Sequence, residues 1–292
     1  MKPHAFDFVR ASTVEDASRH LLESNHEGKL LAGGQSLVPL LNMRLAAPTV
    51  LIDIAGIEEL QHLDRDDSSL HIGAMVRQRD AELSATVAGA CPLLTEAIAL
   101  VAHPQIRHRG TIGGSIAHAD PAAEIPAAAV LLDAVMHVHG PHGPRAVRAA
   151  EFFRSFLSTA LQEGEVLTSV EIPASSPQVG WACEELARRP GDYPLSGAAA
   201  QVEVESGTLA DPRLVLYAVG SRPVRASAAE ALLRGAAPEP DLLEQAAEAA
   251  VAGLEATSSV HASAEYRLRV AKVVARRALE RAIERGRARA IA

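Results

Sequence analysis

Ala32-Gly33-Gly34-Gln35-Ser36 and, about eighty residues later, Gly110-Thr111-Ile112-Gly113-Gly114-Ser115 are the two stretches on which the reading of this chain turns. A diphosphate needs several donors close together and no side chain in the way. Adjacent glycines provide both, because they remove Cβ and admit left-handed backbone angles that aim successive N–H groups at one point. Gln35 and Ser36 add side-chain donors, and a helical period that resumes at Leu37 would point its positive end at the anion. A single double glycine after a strand is an ordinary tight turn. Two of the same design are much harder to dismiss.

The competing nucleotide fold carries G-x-G-x-x-G. Asp53 ends the apolar run 50–53 about twenty residues after Gly33, where a ribose-binding acid would stand. The glycine spacing argues against that fold. Gly33 and Gly34 are adjacent, and Leu37 occupies the place of the third glycine, so close helix packing under the phosphate is not provided for. Asp53 is read instead as a turn or cap residue.

Outward from these stretches, residues 6–9 read as a strand, and Ser12 with Glu15 has the spacing of a capping box opening a helix to about Ser24. Strands are expected at 29–32, 49–54 and 70–73, with helices at 37–44, at 76–88 and from Pro92 to about Val101. Residues 103–110 form a polar, basic connection to the second glycine loop. Residues 127–140 read as strand material ending in a turn at Pro141, Gly143 and Pro144. After a strand at 166–172, Ala174-Ser175-Ser176-Pro177 is the best linker, and the domain boundary is placed there. Three β-rich stretches follow, at 181–187, 198–204 and 213–219. Two Ala-, Glu- and Arg-rich helices come next, the last spanning roughly 264–285. A small sheet covered by helices is the natural reading.

A length of 292 residues exceeds what one core usually serves, and 48% hydrophobic with 22% charged residues describes ordinary globular cores. The net charge of -8 argues against a phosphate-tracking nucleic-acid surface. The start lacks a secretory hydrophobic centre, so a cytoplasmic location is expected; the longest apolar tract, 125–136, is interrupted by Asp133 and is too short to span a bilayer. Cys91 and Cys183 alone cannot ligate an iron-sulfur cluster, so any cluster must belong to another chain. Both read as inert core thiols.

His137, His139 and His142, with His103, His108 and His118, are read as hairpin and loop residues and not as a metal site, since neither H-E-x-x-H nor a cysteine partner accompanies them. Ser36, Ser115 and His118 lack the G-x-S-x-G elbow of a hydrolase. Arg107 and Arg109 fit a solvated loop or a contact with the bound ligand or a partner equally; Arg188 and Arg189 carry the same two readings. Tyr193 is open between packing and function.

Residues 30–45 (LLAGGQSLVPLLNMRL), 106–124 (IRHRGTIGGSIAHADPAAE) and 188–193 (RRPGDY) resemble the FAD-binding medium subunit of molybdenum hydroxylases, the family of carbon monoxide dehydrogenase and xanthine dehydrogenase. The resemblance covers essentially the whole chain. It implies an α+β fold: a two-part FAD-binding domain of the vanillyl-alcohol-oxidase (PCMH) type over residues 1–176, with subdomains about 1–57 and 58–176. A flavoprotein C-terminal domain, a small antiparallel sheet with helices, would follow over 177–292. It also implies that Ala32, Gly33, Gly34, Gln35 and Ser36 cradle the FAD diphosphate, joined from the other side by Thr111, Ile112, Gly113, Gly114 and Ser115. Lys29, Leu31 and Leu37 would flank them. Val101, Gly110, Glu124 and Leu167 would line the rest of the cofactor, Asp120 lies in the matching His-Ala-Asp-Pro turn, and Tyr193 would stand near the isoalloxazine. Two residues depart from the pattern. Ser115 stands where Asn or Asp is frequent, and Glu184 falls where xanthine dehydrogenase relatives carry a flavin-contacting Lys. The cysteine-bearing insertion of benzoyl-CoA reductase relatives has no counterpart.

No acid-base residue of the chain need be named as catalytic, because the flavin supplies the chemistry. The implied partners are a molybdenum-cofactor large subunit and an iron-sulfur small subunit, assembled as a dimer of heterotrimers. The electron acceptor is open among quinone, NAD and oxygen, and the organic substrate belongs to another chain. The alternatives are a non-redox nucleotide-binding or assembly module and a free-standing flavin oxidase.

Overall fold

The computed structural model describes residues 2–290. Val50–Asp53 forms the centre of a three-stranded parallel sheet, flanked by Asp7–Arg10 and Gly28–Leu31. The helix Val14–Glu23 covers it and buries Val14 and Ala17 with Ile52, Ile57 and Leu60. Its cap lies one residue later than the Ser12–Glu15 spacing suggests. Thr13, in extended conformation, accepts from the Asp16 N–H at 3.1 Å, and the Asp16 carboxylate accepts from the Ser12 N–H at 3.1 Å. Aspartate is short enough to close this turn, which leaves Glu15 facing solvent.

The middle of the chain builds a five-stranded antiparallel sheet in the order Leu63–Arg65, Ser69–Gly73, Val166–Pro173, Val135–Gly140, Gly143–Arg148. Residues expected to continue as strand before Val135 form instead the helix Glu124–Leu131, buried at every position. A helix enclosed on all sides has no polar stripe, so its sequence carries no 3.6-residue period to distinguish it from a buried strand. Pro126 is tolerated because first-turn N–H groups need no intrahelical partner. The single helix expected over 76–88 is two helices, Gln78–Leu83 and Ala85–Ala90; Ser84 ends the first and its hydroxyl caps the second at 3.3 Å.

Gly180–Leu186, Ser196–Glu205, Thr208–Tyr217 and Val224–Arg225 make a four-stranded antiparallel sheet. One face packs on Pro240–Val251 and on the long helix Ala264–Ala290, through Ala200, Val202, Leu214, Ala246, Val274 and Ala278. Cys183, Ala199, Val215 and Tyr217 of the same sheet join the core beneath the five-stranded sheet. Gly197 makes room for Tyr217, since a Cβ there would lie 2.1 Å from the phenol ring. Arg285 pins the two halves together. It donates to Glu96 and to the Trp181 carbonyl, each at 2.6 Å, with the Trp181 ring lying against Arg285 and Arg289. No helix among the described residues is long and apolar enough to cross a membrane.

Candidate cofactor cleft

A cleft of about 930 Å³ is lined by residues of the parallel sheet, of the five-stranded sheet and its helices, and of the loop 191–193; its size suits a ligand larger than a single nucleotide. Lys29, Ala32, Gly33, Gly34, Gln35, Ser36, Leu37, Val101, Gly110, Thr111, Gly113, Gly114, Ser115, Asp120, Glu124, Leu167 and Tyr193 line it. Leu31 and Ile112 do not. Strand alternation turns Leu30 and Ala32 to the cleft and Leu31 to a smaller recess behind the turn. Ile112 is only 1% exposed and belongs to the central core.

The first glycine turn has open donors. Within residues 32–36 no main-chain N–H has a hydrogen-bond partner among the described residues. Ser36 precedes the helix Leu37–Asn42 but makes no cap bond with its side chain. The Gln35 side chain donates to the Gly33 carbonyl at 3.0 Å and holds the turn in shape. Gly34 has φ +73°, and a Cβ on Gly33 would lie 2.3 Å from the Arg109 carbonyl oxygen and 2.9 Å from the Gly110 Cα. The two glycine segments therefore touch, and only a residue without a side chain fits between them. Buried or enclosed N–H groups without partners are rare in folded chains. An anion laid across this turn satisfies them, so the residues present fit a diphosphate.

The second segment works differently from a loop of open amides. It is the first turn of the helix Ile112–His118, and its N–H groups are already engaged: Ile112 with the Val76 carbonyl, Gly113 with the Ala74 carbonyl, both at 3.0 Å, and Gly114 with the Thr111 hydroxyl at 3.0 Å. Gly113 is glycine for packing, since a Cβ would lie 2.6 Å from the Ala74 Cα. Gly114 faces Ala32, 3.9 Å from the Cβ it would carry. What this segment offers the cleft is bare surface and the hydroxyls of Thr111 and Ser115.

Behind the helix, the cleft wall becomes acidic. Glu124 is 7% exposed, and burial followed by repulsion from Glu185 pushes its carboxyl up to about 8. Burial likewise raises Glu185 to about 7, although its carboxylate accepts from the Tyr217 hydroxyl at 3.0 Å. Burial lowers His118. Tyr193 keeps 65% of its surface open at the cleft rim, and its phenol is pushed up by the surrounding protein and by the nearby Asp120 and Glu124 carboxylates. The turn that carries it leans on His103: Gly191 has φ +83°, and its Cβ would lie 2.4 Å from that imidazole.

Several cleft residues were not found by sequence reasoning. Gln78 donates its backbone N–H to the Gly110 carbonyl at 2.9 Å, and its buried Oε1 has no partner, an acceptor for a hydroxyl or N–H in the cleft. Leu157 and Leu161 arrive from the small ribbon Phe153–Ser155 and Ser158–Thr159, and Leu45 to Pro48 from the turn after Leu37–Asn42. Apart from Leu45, which closes the run 30–45, none belongs to a motif, so only the three-dimensional fold reveals them.

Other polar residues have structural partners. Arg107 is buried and forms a forked pair with Glu82 at 2.8 and 3.1 Å while donating to the Val101 carbonyl at 2.8 Å; it is not a solvated loop residue, and it does not line the cleft. Glu184 lies outside the cleft and pairs with Arg281 of the last helix at 2.6 Å. Arg188 stands 3.8 Å from Asp192 at the surface. His137 is paired with Glu171 at 2.9 Å. Cys91 and Cys183 are both buried free thiols raised by burial, and Asp53 accepts from the Ala55 N–H at 3.0 Å as a turn residue.

Comparison with known proteins agrees with this geometry. Residues 4–175 match the family described as the FAD binding domain in molybdopterin dehydrogenase, and residues 181–282 match the CO dehydrogenase flavoprotein C-terminal domain. The chain is 40% identical to the 6-hydroxypseudooxynicotine dehydrogenase complex subunit alpha of Paenarthrobacter nicotinovorans, covering 98% of this chain and 97% of that protein. It is 38% identical to the caffeine dehydrogenase subunit beta of a Pseudomonas species, with the same coverage. The structure superposes on a chain of carbon monoxide dehydrogenase from Hydrogenophaga pseudoflava with a TM-score of 0.96 at 38% identity, over 98% of this chain and 99% of that one. With one family covering most of the first 175 residues and relatives matching nearly end to end, the chain belongs to the FAD-binding medium subunits of the molybdenum hydroxylases.

Proposed function

We propose that this chain holds FAD in the cleft with the diphosphate on residues 32–36, receives electrons from an iron-sulfur subunit and passes them to an external acceptor. A molybdenum-cofactor large subunit would oxidise the organic substrate. The observation that carries the reading is the Gly33 turn, whose open amides lie against the second glycine segment with no room for a Cβ. When bound, FAD supplies the ability to take up electrons one at a time and release them in pairs. The chain's residues position it and keep water away. Leu157, Leu161 and Val101 give apolar walls, Tyr193 offers an open aromatic face, and Gln78 offers a buried acceptor.

The two-part PCMH-type arrangement over 1–176, with a division near residue 57, and a second domain over 177–292 belong to the same proposal. Its support is that one family match ends at 175 and the next begins at 181, with separate apolar clusters around Ile52 and around Val274. A dimer of heterotrimers in the cytoplasm completes it, supported by the medium-chain and subunit names of the relatives. The test is to purify the chain, reconstitute it with FAD and photoreduce it. A yellow protein whose flavin bleaches and recovers with an acceptor is expected. A colourless protein that takes up no FAD overturns the reading, and bound flavin that resists reduction turns it into a non-redox module.

A further inference from the structure

The cleft wall near Tyr193 holds a carboxyl whose hydrogen bonding is confined to its own backbone N–H. Glu124 opens its helix and lines the cleft while 7% exposed, and no other described residue hydrogen-bonds its side chain. The groups around it leave it that way. Arg107, the cation on that side, is committed to Glu82 and the Val101 carbonyl. Glu96, on the neighbouring helix Pro92–Leu100, is held by Arg285. Asp120 and Glu185 face it with like charge, Cys183 and Tyr217 are buried and neutral behind it, and His118, Asp192 and Tyr193 complete the wall without adding a cation beside it. A buried carboxyl without a cation keeps its proton, because the charged form loses hydration and gains no partner.

Resting on the reading of the cleft as the FAD site, we propose that Glu124 is the acid that protonates the isoalloxazine as electrons arrive, with Glu185 as the positioning residue that keeps it neutral. Iron-sulfur centres deliver electrons without protons, so two-electron reduction of a flavin must draw its protons from somewhere else. With FAD bound, Glu124 would give up its O–H proton to a ring nitrogen as two electrons arrive from the iron-sulfur partner, one O–H bond broken for one N–H bond formed, and the second proton of full reduction would come from solvent. The carboxylate left behind, destabilised by Asp120 and Glu185, regains a proton from solvent through the cleft mouth. Tyr193, beside Glu124 on the cleft wall, would take the planar part of the ligand, and the turn of Gly33 to Ser36 in the same cleft its diphosphate. The neutral acid near pH 7 has the match of acidity to working pH that general acid catalysis needs, and a bound cofactor would bury it further.

The experiment uses the full chain reconstituted with FAD. The flavin midpoint potential is followed on both sides of pH 8, and infrared difference spectra are taken on reduction. Wild type is expected to show a change of slope near the pH where Glu124 ionises, together with a transient loss of a protonated-carboxyl band that recovers as the carboxylate regains its proton. E124Q, saturated with FAD, should lose both features, and its flavin should be reduced roughly 10²-fold more slowly at neutral pH. E185Q should keep the band and move the slope change to lower pH. Persistence of the band and the slope change in E124Q overturns the proposal; should E124Q not fold, an unmoved slope change in E185Q overturns it. A wild-type chain that binds no FAD brings down the cofactor reading itself, an outcome distinct from flavin that binds and titrates without Glu124.

Discussion

Gly33 shows how much one absent side chain decides. Valine there would push its Cβ to 2.3 Å from the Arg109 carbonyl, so the turn or the segment 109–110 must move. G33V is expected to weaken FAD binding by about a hundredfold or more, equivalent to about 2.8 kcal/mol, whereas G56A, with nothing within 4 Å of the added atom, should bind normally; fluorescence titration with FAD checks both. Glu124 makes a second prediction, about stability. Its carboxyl is raised to about 8 in the folded chain and returns to the ordinary carboxylate range on unfolding. Between those limits the folded state binds a proton that the unfolded state does not, so stability is greatest below the window and is lost as pH rises to about 8. Glu185, raised to about 7, acts in the same sense. FAD-free E124Q should therefore gain on wild type as pH climbs from about 5 to about 8, by an amount on the order of a few kcal/mol. Urea melts at the two pH values measure this, and a difference that does not change with pH contradicts it. The sequence pointed to both residues, Gly33 by its motif and Glu124 by family resemblance. It did not show why Glu124 is neutral, because Glu185 and the commitment of Arg107 to Glu82 come from distant parts of the chain.

At the scale of elements, the first glycine segment is a turn with open donors and the second is a helix start with occupied ones. The two look alike in sequence. The difference lies in Ala74 and Val76, whose carbonyls reach across to Gly113 and Ile112, a pairing no local pattern announces. The same limit explains Glu124–Leu131, where complete burial erased the helical period, and Ser84, whose hydroxyl divides a stretch that reads as one helix. Strands with a wet face, such as Val135–Gly140 with Met136 and Val138 turned inward, were legible because alternation survives there. Arg107 anchors the second segment from behind, and its partner Glu82 is itself largely buried. R107M should destabilise the chain by about 1–3 kcal/mol, the loss of the forked bonds to Glu82 and of the bond to the Val101 carbonyl, since Arg79 still stands 2.9 Å from Glu82. A denaturation midpoint unchanged in R107M would show that the pair does not hold this segment.

In the whole molecule, the cleft draws on distant parts of the chain. The parallel sheet supplies the open turn, the antiparallel sheet with its helices supplies Thr111 to Glu124, and the second domain contributes Gly191 to Tyr193. The Pro177 linker and the amphipathic last helix made two domains readable from sequence; that the second domain's sheet would share a core with the first through Cys183, Val215 and Tyr217 was not, since its strands are apolar on both faces. Arg285 ties these halves at Glu96 and Trp181. R285A should cost about 1–3 kcal/mol and speed proteolytic cutting near residues 174–179, measured by timed digestion; unchanged cutting would show that the latch is dispensable. The account as a whole stands on the claim that the amides of residues 32–36 receive the diphosphate of FAD. Hydrogen exchange with and without FAD tests it most directly. The expected result is strong protection at 32–36 on adding FAD and little change at 112–115, whose N–H groups are already bonded; exchange at 32–36 that FAD leaves untouched would contradict it.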